Sequence, residues 1–183
     1  MTREMRRKDR EIKDFEEILD ILKRANTIRL GLNGDPYPYV VPVSFGFEAL
    51  DGAGDGGGAG ETGGTGGTEG TGGACLALYI HGAAVGQKCD LIKRDAHVCV
   101  EADIFNGYLK QGEGENNTVT ALFESVVAYG TAALATDAEA ERGMALMLDH
   151  CGYPDFIFTK ADLARTAIYK ITITRITGKR NPA

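Results

Sequence analysis

What the sequence lacks narrows its function before any motif does. It has no basic excess: 26 Asp and Glu outnumber 20 Lys and Arg, for a formal charge of −6. A nucleic-acid-binding face ordinarily carries a cationic surplus that displaces counterions from the phosphate backbone, so DNA and RNA are not expected partners. The basic clusters at 6–8 and 93–94 are too small to change this. No apolar run approaches the roughly 20 residues of a bilayer-spanning helix. The N-terminal MTREMRRKDREIKD has no apolar signal-peptide core. No membrane association is expected, and the cytoplasm is the expected compartment.

Paired cysteines are also missing. Cys75, Cys89, Cys99 and Cys151 occur singly, without CxxC, and read as reduced thiols. His97 with Cys99, and His150 with Cys151, have no companion pair at structural-zinc spacing, so no metal site is expected. The phosphate-loop pattern GxxxxGK(S/T) is absent as well. Residues 51–74 are more than half glycine, but their only charges are acidic and would repel phosphate. They read as a flexible insertion in a hairpin, cheap because closure entropy grows only logarithmically with length. At 183 residues and 43% apolar content, 1–183 is expected to form one domain around a hydrophobic core.

The most informative stretch that is present is 78–95, LYIHGAAVGQKCDLIKRD. A strand ends at His81, the chain breaks at Gly82, small residues lead to Gly86, and a helix follows with Lys88 in its first turn. Free N–H groups at a helix start, a neighbouring lysine and glycines permitting close approach make an anion site, and phosphate is the obvious ligand.

Around it the periodicity predicts an amphipathic helix over 14–24 and strands at 27–32, 37–48, 75–80, 96–103, 120–135 and 166–177. Pro38 and Pro42 mark the second strand as an edge, a bulge or an interruption where a ligand meets the backbone. Residues 105–117 read as a loop. Gly130 marks a bend or bulge. Asp137 reads as the N-cap of a helix through about 148, and Thr159 with Asp162 as a capping box. Six strands with few intervening helices predict a mainly β (α+β) antiparallel barrel with peripheral helices, not a parallel βαβ sheet.

Together, RRKDREI (6–12), YVVPVSFGFE (39–48), LYIHGAAVGQKCDLIKRDAHVCVEAD (78–103), ESVVAYGTAAL (124–134) and ITGKR (176–180) resemble the FMN-binding split-barrel superfamily. The nearest branch is the pyridoxamine 5′-phosphate oxidase-related proteins similar to nitroimidazole-resistance flavoproteins. The resemblance implies a six-stranded antiparallel split barrel with FMN in two sites at a homodimer interface. It implies that Lys88 binds the FMN phosphate and that His81, Gly82, Ala83 and Gly86 form the adjoining strand end and turn. Pro42, Val43 and Ser44 correspond to the strand whose backbone runs along the isoalloxazine ring, and Glu124, Ser125 and Val126 to a segment near the pocket. Lys179 reads as part of a solvated tail.

The departures bear on substrate. Pyridoxamine 5′-phosphate oxidases carry Arg-Lys pairs on the second strand and at the phosphate turn, and a terminal motif with tryptophan. Here Gln87 precedes Lys88 and there is no tryptophan. The expected activity is reduction of a small electrophilic or nitroaromatic substrate, with NAD(P)H as donor, rather than oxidation of pyridoxamine phosphate. His81 is the candidate catalytic residue, as proton donor or orienting group; the competing reading makes it a wall against the ring. Flavin storage without catalysis is the alternative from another class. Haem binding through His81, His97 or His150 is a third reading.

Overall fold

The computed structural model describes residues 5–50, 76–114 and 117–182. Among them are eight strands: β1 (Glu11–Ile12), β2 (Ile28–Leu32), β3 (Tyr39–Val43), β4 (Phe45–Ala49), β5 (Leu76–Gly82), β6 (His97–Gln111), β7 (Thr118–Leu134) and β8 (Ala167–Asn181). The helices are α1 (Phe15–Arg24), α2 (Gln87–Arg94), α3 (Asp137–His150) and α4 (Lys160–Ala164). The antiparallel sheet runs β3-β2-β6-β7-β8-β5-β4, and β1 adds to β8. Its two end strands, β3 and β4, are joined through Ser44 alone. A flat sheet cannot satisfy that connection, so the sheet curls until its ends meet, giving the expected mainly β split barrel.

The count of eight instead of six has two causes. The strand expected over 37–48 divides at Ser44, its first half pairing with β2 and its second with β5. Glu11 and Ile12 form a short extra strand against Lys179 and Gly178. The tail expected to be solvated is therefore strand, and Lys179 lies over the Phe123 ring at 5.4 Å.

Residues 105–111, expected in a loop, continue β6 and pair with β7. A bulge between Phe105 and Gly107 re-aims the strand, and Gly107 takes φ +100°. This hairpin is wet on both faces at its end, so no apolar alternation reveals it in the sequence. The bulge expected near Gly130 is present between β7 and β8. A Cβ there would sit 2.1 Å from the Thr172 carbonyl oxygen.

The core follows from alternation. Leu30, Val98, Val100, Val126, Ala128, Ile171 and Ile173 point inward and meet Ile18, Leu19, Ile21 and Leu22 of α1. Asp14 caps α1 by accepting the Glu16 N–H at 3.0 Å. β5 is buried on both faces, because Leu76, Leu78 and Ile80 join that core while Ala77 and Tyr79 meet Met147 of α3. α3 begins at Asp137 with Thr136 as its cap residue, so Asp137 is not the N-cap. The Thr159–Asp162 capping box is formed.

Candidate functional site

β5 delivers His81 and Gly82 to an exposed turn, and α2 starts one residue after Gly86. Gly86 has φ +119°, a conformation that L side chains rarely adopt, which is why glycine stands there. Asp90 is the first α2 residue whose N–H reaches a helical carbonyl, that of Gly86. The N–H groups of Gln87, Lys88 and Cys89 precede it in the open first turn.

α2 is fixed at both ends. At its start the Cys89 thiol is buried and donates to the Ala83 carbonyl at 3.0 Å. At its end Arg94 donates to the Asn33 carbonyl. Asp95 accepts from the Asn33 amide at 2.7 Å and from the His97 N–H at 3.0 Å. These bonds, the His97 N–H first, hold the Asp95 carboxyl at about 2.

Lys88 folds back along the turn and donates to the His81 carbonyl at 3.0 Å. Among the described residues no carboxylate lies within ion-pair distance of it. Burial pushes its pKa below the ordinary lysine value. A half-buried ammonium beside free helix N–H groups, with no protein anion to neutralise it, fits a phosphate.

The strands carry this site sideways. Phe45 pairs with Ile80, so Ser44 is next in register to His81. Pro42 lies opposite Arg29 on β3, an end of the sheet path where a missing N–H is tolerated. Arg29 in turn lies opposite Glu101, and Asp103 opposite Ser125. Pro42, Ser44, His81, Ala83 and Gly86 are exposed, and Val43, Gly82 and Lys88 are half-buried. Arg29 bonds both Glu101 and Asp103, and Asp103 lies opposite Ser125.

Glu124 faces the other way. It accepts from Arg24 at 2.9 Å and from Arg180 at 3.1 Å. These partners, Arg24 first, hold its carboxyl below the ordinary glutamate value. Its partner on β8 is Arg180, near the end of that strand, whereas His81 pairs with Ile168 near the start. Within one chain Glu124 is not brought to Lys88.

Sequence reasoning missed the Arg29 cluster. The spacing of Glu101 and Asp103 on one strand face was visible, but the β2–β6 pairing that supplies Arg29 was not. Of the histidines, His150 donates through Nε2 to the Ala25 carbonyl at 2.8 Å and packs on Phe45, and His97 meets Asp95 through Nδ1 at 2.8 Å. Among the described residues no group of three His, Cys, Asp or Glu could hold a metal ion. No helix among them is long and apolar enough to cross a membrane.

Residues 14–180 match the pyridoxamine 5′-phosphate oxidase family. The chain belongs to this family. Among solved structures it is similar to a candidate 5-nitroimidazole antibiotic resistance protein from Bacteroides thetaiotaomicron, at 20% identity over 93% of this chain and 86% of that one, with a TM-score of 0.70. The flavocytochrome Anf3 from Azotobacter vinelandii is 18% identical over 100% and 74% of the two chains, TM-score 0.69. An FAD- and haem-binding protein from Mycobacterium smegmatis is 18% identical over 95% and 74%, TM-score 0.67. These identities establish a shared fold. No curated protein sequence matches the chain.

Proposed function

We propose that this family member binds FMN and reduces a small electrophilic or nitroaromatic substrate, with NAD(P)H as the electron source. One observation carries the reading: Lys88, half-buried at the open start of α2, has no carboxylate partner among the described residues. The flavin-binding neighbours and the nitroimidazole-resistance neighbour support it.

In this reading Lys88 and the first N–H groups of α2 hold the phosphate, while Gly82, Ala83 and Gly86 keep the turn close to it. The backbone of Pro42, Val43 and Ser44 lines the ring. Bound flavin supplies the two-electron chemistry. His81, exposed next to Ser44, holds or delivers a proton to substrate, or walls the ring. Glu124 and Ser125 complete the pocket from a second copy in a homodimer. Support for pairing comes from Val40 and Tyr129, which leave 60% and 39% of their surfaces exposed on the outer sheet face. The free thiols of Cys89, Cys99 and Cys151 favour the reducing cytoplasm.

The visible spectrum of the purified protein tests the reading. A flavin band that bleaches with NADPH and returns with a nitroaromatic is expected. A stable flavin band without turnover would mean storage, and a Soret band would mean haem. In Lys88→Ala the flavin-to-protein ratio should fall; an unchanged ratio removes Lys88 from the phosphate site.

A further inference from the structure

Three successive residues of α2 each bind one carbonyl that precedes the helix. Lys88 Nζ donates to His81 at 3.0 Å, the Cys89 thiol to Ala83 at 3.0 Å and the Asp90 N–H to Gly86 at 3.1 Å. The middle bond differs from its neighbours in direction. Cys89 is 1% exposed, whereas Ala83 lies at the surface, so the Ala83 carbonyl oxygen is drawn inward toward the core. The Ala83–Ala84 peptide is trans, and in a trans peptide the N–H points opposite to the C=O. The Ala84 N–H is therefore turned outward. Ala84 is exposed, and among the described residues its N–H has no protein acceptor.

The thiol is itself held. Tyr169 of β8 is buried opposite Ile80 and bonds its hydroxyl to Cys89. Burial first, and this bond second, push that hydroxyl up to about 12, so it keeps its proton. It can donate to the sulfur while the S–H donates onward to Ala83, and bonds in such a chain polarise one another.

We propose that the Ala84 N–H is a phosphate donor of this site and that Cys89 is the positioning residue that aims it; this role rests on the flavin reading above. The Ala84 N–H joins Lys88 and the open N–H groups of the first turn of α2 around one anion. The same bond removes the Ala83 carbonyl oxygen, which would repel a phosphate, from the surface of the turn. A small buried donor is what residue 89 must supply. A serine hydroxyl can replace the thiol in this, and an alanine cannot.

The test titrates the flavin-free parent, Cys89→Ala and Cys89→Ser with FMN and with riboflavin, which carries the same ring without the phosphate. Flavin fluorescence reads each affinity. Cys89→Ala should bind FMN about ten-fold more weakly and riboflavin as the parent does. Cys89→Ser should recover most of the loss. A fall for riboflavin equal to that for FMN makes Cys89 merely structural and overturns the role, and so does a Cys89→Ser as weak as Cys89→Ala.

A second measurement needs no variant. When the 15N-labelled, flavin-free parent chain is titrated with inorganic phosphate, the Ala84 amide proton should move downfield and saturate as it bonds the anion. An unmoved Ala84 signal overturns the proposal. A parent chain that binds neither FMN nor riboflavin overturns the functional reading and this role with it. A parent that binds FMN no more tightly than Cys89→Ala does overturns this role alone.

Discussion

Lys88 reaches the His81 carbonyl at 3.0 Å by passing over Gly82, and only the missing Cβ leaves it room. A Cβ on residue 82 would lie 2.5 Å from Lys88 Nζ and 3.1 Å from Cε. The glycine is thus tied to the ammonium position rather than to an unusual backbone angle.

Gly82→Ala should therefore fold normally, because the atom displaced is the free end of a flexible side chain. Under the proposed flavin reading, FMN affinity should fall by roughly ten-fold, about the worth of one misplaced charged hydrogen bond. Flavin fluorescence titration reads this directly. Equal affinity in the two proteins would mean that Lys88 contributes from any position, or not at all.

Gly46 provides the contrast. A Cβ there would lie 2.4 Å from the Leu146 carbonyl carbon and 2.4 Å from the Met147 nitrogen, both backbone atoms of α3 that cannot swing aside. Gly46→Ala should push α3 off β4 and cost about 3 kcal/mol, the upper end of overpacking effects. A lower urea midpoint checks it, and a midpoint within error of the parent would show that α3 tolerates the shift.

The barrel and the turn that leads from β5 into α2 were legible in the sequence because both rest on local signals. Val98 and Val100 alternate with His97 and Cys99, and Gly82, Gly86 and Lys88 sit within one short segment. What escaped depends on partners far away in the chain. Ser44 splits a strand only because β2 and β5 claim opposite halves of it. Arg29 joins Glu101 and Asp103 only through strand register, and Glu124 meets Arg24 and Arg180 only once α1 packs on the barrel.

Glu124 gives a pH-dependent test. Its folded-state pKa is depressed below 4.5, chiefly by the Arg24 hydrogen bond, so folding favours the carboxylate. The stabilisation is complete above the unfolded value and is lost as pH falls through the folded one. Both arginines are well exposed to solvent, which limits the effect to about 1 kcal/mol. Glu124→Gln should be less stable than the parent at pH 7 by that amount, and the two should converge as the pH falls through the folded value. Urea unfolding at pH 7 and along an acid series measures it. A gap that persists in acid would assign the loss to packing rather than charge.

The expected flexible glycine-rich segment, 51–74, falls outside the described residues, but its flanks carry an argument. Ala49 of β4 pairs with Leu76 of β5, so the two ends of the excursion are already neighbours in a hairpin. Shortening a connection between adjacent strand ends changes closure entropy only logarithmically, about 0.6 kcal/mol per halving, and in the stabilising direction. Deleting residues 54–72 leaves seven residues between Ala49 and Leu76, and about four to six suffice for most connections. The shortened chain should melt no lower than the parent and keep its flavin-to-protein ratio. Loss of soluble protein would show that the segment packs on the barrel, and loss of flavin alone would assign it to the site.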